Sequence, residues 1–361
     1  TLLASSAASD VYKRQAYIHA VCSELEMRKE YLGGETIETI YWGGGTPSQL
    51  DKEDFETIFY YLHKNYSISS HPEITLEANP DDLTPDYIAM LRTLPFNRLS
   101  MGIQTFNESI LKVLQRRHTA RQAIEAFQNC RAAGFQNISI DLMYGLPGET
   151  LSTWQQDLDQ ALLLHPEHLS AYHLIYEEDT VLWKLREQHK VEEADEDLSV
   201  SLFSTLIDQL TSEGYDHYEI SNFSLPGLYS RHNSSYWTEK KYLGCGPSAH
   251  SYNGVSRQWN VASLDTYIKG ISAGTPVFEI EELDLYTRYN DFVITRIRTE
   301  WGMPLSKLRD EFGEKLYDYC LRMAAPHLKQ GTLELVNDIL KLTRKGIFIS
   351  DGIMSDMLWT D

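Results

Sequence analysis

The sequence has little cysteine. Its four, Cys22, Cys130, Cys245 and Cys320, lie far apart, and no pair falls at a metal- or cluster-binding spacing or suggests a disulfide framework. A reducing cytoplasm is the expected setting. Long apolar runs are missing too, which excludes an integral membrane helix. Positive charge is in deficit: 32 Lys and Arg against 52 Asp and Glu leave a formal charge of −20. That argues against nucleic acid or an anionic membrane as the main partner, while leaving room for a local basic pocket. Residues 1–15 lack the apolar core of a signal peptide and any clear helical or strand period. They are expected to be a foreign or unstructured leader.

What is present begins at residue 16. The 361 residues suffice for one large domain and a smaller one. A helix is expected over 16–32, with Ile18, Val21, Cys22 and Leu25 on one face and Gly33-Gly34 as its stop. Strands are expected over 35–42, 73–78, 98–104, 138–143 and 168–176, with helices between them, Asn107 capping one. Strands alternating with helices predict an α/β fold of parallel units. In such folds ligands collect at the carboxyl ends of strands. Gly43 to Thr46, Glu77, Gln104, Asp141 and the 173–177 segment all fall at or near those ends. Beyond Glu177 come a charged stretch, a helix near 198–213, a strand at 215–223 and an aromatic loop-rich stretch. From 283 short helices precede strand-like runs, the last at 346–349, an order that suggests a small winged-helix-like domain.

Five motifs carry a resemblance. They are Gly43-Gly44-Gly45-Thr46-Pro47-Ser48, Glu77-Ala78-Asn79-Pro80 and Gly102-Ile103-Gln104-Thr105-Phe106, then the run from Ile140 to Pro147, and Arg231-His232-Asn233-Ser234-Ser235-Tyr236-Trp237. As a set they resemble the radical S-adenosylmethionine enzymes, in the oxygen-independent coproporphyrinogen III oxidase-like branch that includes the heme chaperones. The resemblance covers the chain from about residue 16 to its end. It implies a partial (β/α) barrel at 16–223, an aromatic connection at 224–282 and a small helical domain at 283–361. The family's defining Cys-x-x-x-Cys-x-x-Cys, which holds a [4Fe–4S] cluster, is absent, with residues 1–15 in its place. A truncated coding region behind an unrelated leader is the expectation, and catalysis is not implied for the chain as it stands.

The resemblance also implies roles. Gly44, Gly45 and Thr46 would bind the methionine part of S-adenosylmethionine, and Glu77 its sulfonium or amine. Gln104, Arg116 and Asp141 match further contacts, Arg116 with a carboxylate and Asp141 with the ribose hydroxyls, and Ile175 matches an adenine-side position. His232 would contact heme, with Tyr236 and Trp237 covering the macrocycle. Each has a plainer reading: a tight turn for the glycines, a helix cap for Glu77, a loop contact for Gln104, a solvated helix end for Arg116, core packing for Ile175, and a backbone-bonded loop residue for His232. His250 is a second heme candidate, better explained by core packing, and Cys245 is not distinguished from a buried cysteine. The function implied is heme binding and delivery to an acceptor protein. The alternative is the oxygen-independent oxidase of porphyrin biosynthesis.

Overall fold

The structure, a computed structural model, describes residues 2–44 and 46–360, with side chains from residue 12. Helix α1 (Leu2–Met27) opens the chain. The expected leader is therefore helical rather than unstructured up to Gln15, because 2–15 contain neither glycine nor proline and run on into the amphipathic segment. Ile18, Val21, Cys22 and Leu25 do form the buried face. The helix ends at Met27, short of Gly33.

There follow β1 (Ile37–Trp42), α2 (Lys52–Asn65), β2 (Ile68–Ala78), α3 (Pro85–Leu91), β3 (Arg98–Gln104), α4 (Glu108–Val113) and α5 (Ala120–Ala132). Then come β4 (Ile138–Tyr144), α6 (Leu151–Leu163), β5 (His168–His173), α7 (Val181–Glu187) and α8 (Glu196–Ser212). Asn107, Thr119 and Thr150 cap α4, α5 and α6 through their side chains. Strands β1 to β5 are parallel neighbours in one sheet. The expected strand at 215–223 is instead a hairpin, β6 (Asp216–Glu219) and β7 (Asn222–Ser224), of which β7 pairs antiparallel with β5 and β6 forms the sheet edge. Glu219 makes the turn by accepting hydrogen bonds from the Ser221 amide and the Asn222 side chain.

This seven-stranded sheet is curled into a half-barrel. Alternation sorts its faces. Ile74, Leu76, Leu99, Met101, Ile138, Ile140 and Leu142 pack outward against the helices. Thr75, Arg98, Ser139, His168 and Ser170 are buried on the opposite, concave face. The lumen is thus lined by polar groups that the outer core cannot take.

Residues 224–282 carry more structure than expected: α9 (Arg231–Tyr236), β8 (His250–Tyr252), β9 (Ser256–Asn260), α10 (Leu264–Ser272) and β10 (Phe278–Glu282). Buried Glu24 of α1 accepts hydrogen bonds from Arg28, the Gly246 amide, Asn260 and Tyr267, and so ties this segment to α1. The C-terminal region comprises α11 (Leu285–Ile297), β11 (Met303–Pro304), α12 (Leu305–Gln330, kinked at Gly313), β12 (Leu333–Val336), β13 (Ile339–Leu342), α13 (Arg344–Ile347) and α14 (Ser350–Met357). Helices around the sheet β11-β13-β12 fit the expected helix-then-hairpin order. Residues 346–349, expected as a strand, begin in α13, because Thr343 caps that helix by accepting the Gly346 amide. Among the described residues no helix is long and apolar enough to cross a membrane.

Candidate cofactor site

At the rim, Glu77 ends β2 and holds the glycine loop. Its carboxylate accepts the Tyr41 hydroxyl at 2.7 Å and the Gly44 amide at 3.1 Å. A side chain at Gly43 would meet Tyr41 Cε1 at 2.6 Å and Glu77 Oε1 at 2.9 Å, so only glycine permits this approach. Gly44 adopts φ +74°, a turn conformation closed to most residues. Gly45 lies outside the described residues. Thr46 is exposed and precedes a single 3₁₀ turn, with no side-chain capping bond.

Across the rim, Gln104 ends β3 in the left-handed region at φ 71°, where β3 and β4 slip register. Its amide folds back over Gly102. Arg116 donates to Asn79 at 2.8 Å and to the Gly102 carbonyl at 3.0 Å, fixing the guanidinium above β2 and β3. It is not a solvated helix end, and burial lowers its pKa. With Asn79, Asp81 and Gln115 it lines a recess. Asp141 stands on β4 beside Gly102, half-buried, with Ser100 its hydroxyl neighbour at 3.4 Å. Burial first, and the Glu77 charge next, push its carboxyl up to about 6.

Ile175 falls outside β5 and is 75% exposed, so core packing does not account for it. His232 lies on α9. It stacks on Tyr41 with ring centroids 4.7 Å apart, and its Nδ1 and Nε2 meet Thr39 and Tyr236 hydroxyls, each at 2.9 Å. Burial, then the Arg98 charge, push it down to about 4, so the imidazole is neutral. Elsewhere in the motif, Glu73 accepts both the Arg231 and His232 amides, and Trp237 lies under Arg298 at 4.3 Å. His250 is exposed and stacks on Trp259, so it is no core residue, and the half-buried Cys245 thiol is pushed well up by desolvation.

Gly44, Glu77, Gln104, Arg116 and Asp141 thus share one rim, Thr46 adjoins it, and His232 touches it through Tyr41. Sequence reasoning missed Tyr41, Glu73 and Asn79. Asn79 sat in a quoted motif; Tyr41 and Glu73 carry only the alternation with Thr39 and with Thr75 and Glu77. Among the described residues no group of His, Cys, Asp or Glu is placed to hold a metal, and the cysteines are dispersed. The donor set does not fit a [4Fe–4S] cluster.

Residues 11–161 match the Radical SAM superfamily and residues 283–349 the HemN C-terminal domain. The heme chaperone HemW of Lactococcus lactis is 32% identical over 349 residues, 96% of this chain and 90% of the relative. The chain belongs to the HemW family. HemW of Mycobacterium tuberculosis is 31% identical over 343 residues, 95% of this chain and 86% of its own. Coproporphyrinogen III oxidase HemN from Escherichia coli shares the fold, with a TM-score of 0.82 at 23% identity over 96% of this chain and 83% of the oxidase. S-adenosylmethionine and an iron–sulfur cluster are the superfamily's cofactors, and the 361 residues contain no Cys-x-x-x-Cys-x-x-Cys motif.

Proposed function

We propose that this chain binds heme and passes it to acceptor proteins in a reducing cytoplasm. The observation that carries the reading is similarity along nearly the whole chain to relatives named heme chaperones. The Arg231-to-Trp237 motif supports it. A neutral imidazole is the form that ligates iron. Among the described residues Nε2 of His232 meets only the Tyr236 hydroxyl, and Tyr236 is 37% exposed, so rotating one tyrosine frees the nitrogen. Tyr236 and Trp237 offer aromatic faces to the macrocycle.

The rim accommodates S-adenosylmethionine. When bound, that molecule supplies a sulfonium that can be reductively cleaved. Gly44, Gly45 and Thr46 would hold its methionyl group, and Glu77 its cationic end. Arg116 retains free N–H groups for the carboxylate, and Asp141 faces the ribose, with Gln104 and Ile175 completing the pocket on the amide and adenine sides. With its cysteines dispersed, the chain's own residues support no radical step. Heme delivery needs no such step. The shared fold gives no observation that favours the oxidase reading.

The test is transfer. Heme-loaded chain is mixed with an apo-globin and the globin spectrum followed. Loss of heme from the chain faster than from free serum albumin supports delivery; retention against excess apo-globin contradicts it.

A further inference from the structure

Outside the half-barrel, one strand carries an edge that the fold leaves open. In the sheet β10-β9-β8, β10 (Phe278–Glu282) stands at the end, and all of its residues are exposed. Its pairing with β9 runs without a bulge. At the two ends of the pair, the Val261 amide donates to the Val277 carbonyl at 3.1 Å and the Leu283 amide to the Val255 carbonyl at 2.9 Å. Antiparallel ladders alternate, so the odd-numbered residues of β10 exchange hydrogen bonds with β9. The N–H and C=O groups of Phe278, Ile280 and Glu282 therefore point to the open side. Among the described residues no strand or bridge meets them there.

Such an edge is a template for another strand, and proteins commonly blunt it with lysine, proline or a bulge. Residues 277–283 have none of these. Their side chains select the partner instead. Glu279 and Glu281 share one face, where Glu279 accepts the Trp259 indole N–H at 3.2 Å and Glu281 meets Arg257 at 3.3 Å. Phe278 and Ile280, 38% and 51% exposed, lie on the other face with Glu282. Residues 279–284 hold the carboxylates of Glu279, Glu281, Glu282 and Asp284 with no Lys or Arg, and Arg257 is shared between Glu281 and Asp291. Two copies paired antiparallel about Ile280 would set Glu279 of each opposite Glu281 of the other. Like charges opposed across strands are destabilising, so the edge disfavours its own kind and favours a basic strand.

We propose that β10 is a docking edge for an extended basic segment of a partner protein, one that alternates Lys or Arg with apolar residues and adds to the sheet as a further strand. Main-chain hydrogen bonds to Phe278, Ile280 and Glu282 hold the segment. Its cations lie beside Glu279 and Glu281, and its apolar side chains beside Phe278 and Ile280. The formal charge of −20 steers such a segment toward the chain. The edge belongs to a sheet separate from the half-barrel and does not depend on heme or S-adenosylmethionine binding.

The test is binding of a fluorescein-labelled peptide of alternating lysine and valine to the full chain, read by anisotropy and by amide hydrogen exchange. Saturable binding is expected, with exchange slowed at Phe278, Ile280 and Glu282. Ile280→Pro removes one outward donor and leaves the ladder with β9 and every charge in place. It should weaken binding at least roughly tenfold. Glu279→Gln combined with Glu281→Gln should weaken it as well and flatten its salt dependence. No saturable binding, or slowed exchange elsewhere but not in β10, overturns the proposal. Equal binding by Ile280→Pro also overturns it, since attraction to an acidic surface alone would survive that change. Dimers of the parent chain that Ile280→Pro abolishes would assign the edge to a second copy and overturn it too. Should Ile280→Pro fail to fold, Ile280→Lys, an exposed change that repels the peptide, takes its place with the same expected loss.

Discussion

Asp141 shows how the site is set at the level of single residues. Burial and Glu77 raise its carboxyl to about 6, so the folded chain holds that proton more tightly than the unfolded chain does. The stability due to the neutral form is complete below the ordinary carboxylate range and is lost as pH rises through about 6. Glu149 follows the same sign: burial raises it to about 7, although the Gly145 and Leu146 amides favour its ionised form. Asp141→Asn keeps the shape and removes the charge. It should stabilise the chain near pH 8 by on the order of 1 kcal/mol, with the gain vanishing near pH 4. Chemical denaturation across pH measures this. The same substitution should weaken S-adenosylmethionine binding at least roughly tenfold by calorimetry, since one carboxylate contact to the ribose is lost. Stability and binding would then move in opposite directions, as at a functional site. Asp141 and Glu77 were legible in the sequence because a charged residue amid Ile140 and Leu142, or at the end of a strand, has no place in an outer core. Arg98 and Glu73 were not, because their meaning depends on which strands the curled sheet brings opposite them.

The strands and helices repeat that lesson. Strands β1 to β5 follow from β-branched alternation, and the helix starts from Asn107 and Thr119, because those signals are local. The β6–β7 hairpin and α13 were misread as strands. Runs such as Tyr218 to Phe223 and Gly346 to Ile349 are too short for period to decide, and the Glu219 carboxylate and the Thr343 cap decide instead. Ile175 and His250 went the other way, apparent core residues that the fold leaves outside. Helix α9 has six residues and little stability of its own. Its first turn is held by the Glu73 carboxylate, which accepts the Arg231 amide at 3.0 Å and the His232 amide at 2.9 Å. Glu73→Gln keeps one acceptor and loses the charge. It should cost about 1–2 kcal/mol, and amide exchange at His232 should quicken while exchange in β3 stays unchanged. Equal protection of His232 in both proteins would show that α9 is held by other contacts.

In the whole molecule a buried pair is among the contacts that join the half-barrel to the C-terminal region, beside the Phe203–Phe348 ring contact and the Arg344–Asp208 ion pair. Glu219 is 2% exposed and meets Arg298 at 2.6 Å, and Arg298 in turn covers Trp237 of the Arg231-to-Trp237 motif. Arg298→Ala would strand a buried carboxylate and should cost about 3–5 kcal/mol. Calorimetry should then separate two transitions more widely than in the parent chain, because the C-terminal core of Tyr289, Phe292, Leu308 and Leu340 is a cluster of its own that meets the half-barrel core through Ile220, Ile347 and Phe348. A single shifted transition would mean that the two cores stay coupled without the pair. The fastening also places the Trp237 indole, so heme affinity should fall together with the coupling. Heme binding at His232 is tested by a heme titration of the full chain followed by absorbance, beside His232→Ala. Saturable binding near one heme per chain, weakened at least roughly tenfold by the substitution, is the predicted result; no saturable binding by the parent chain, or unchanged binding by His232→Ala, would contradict it.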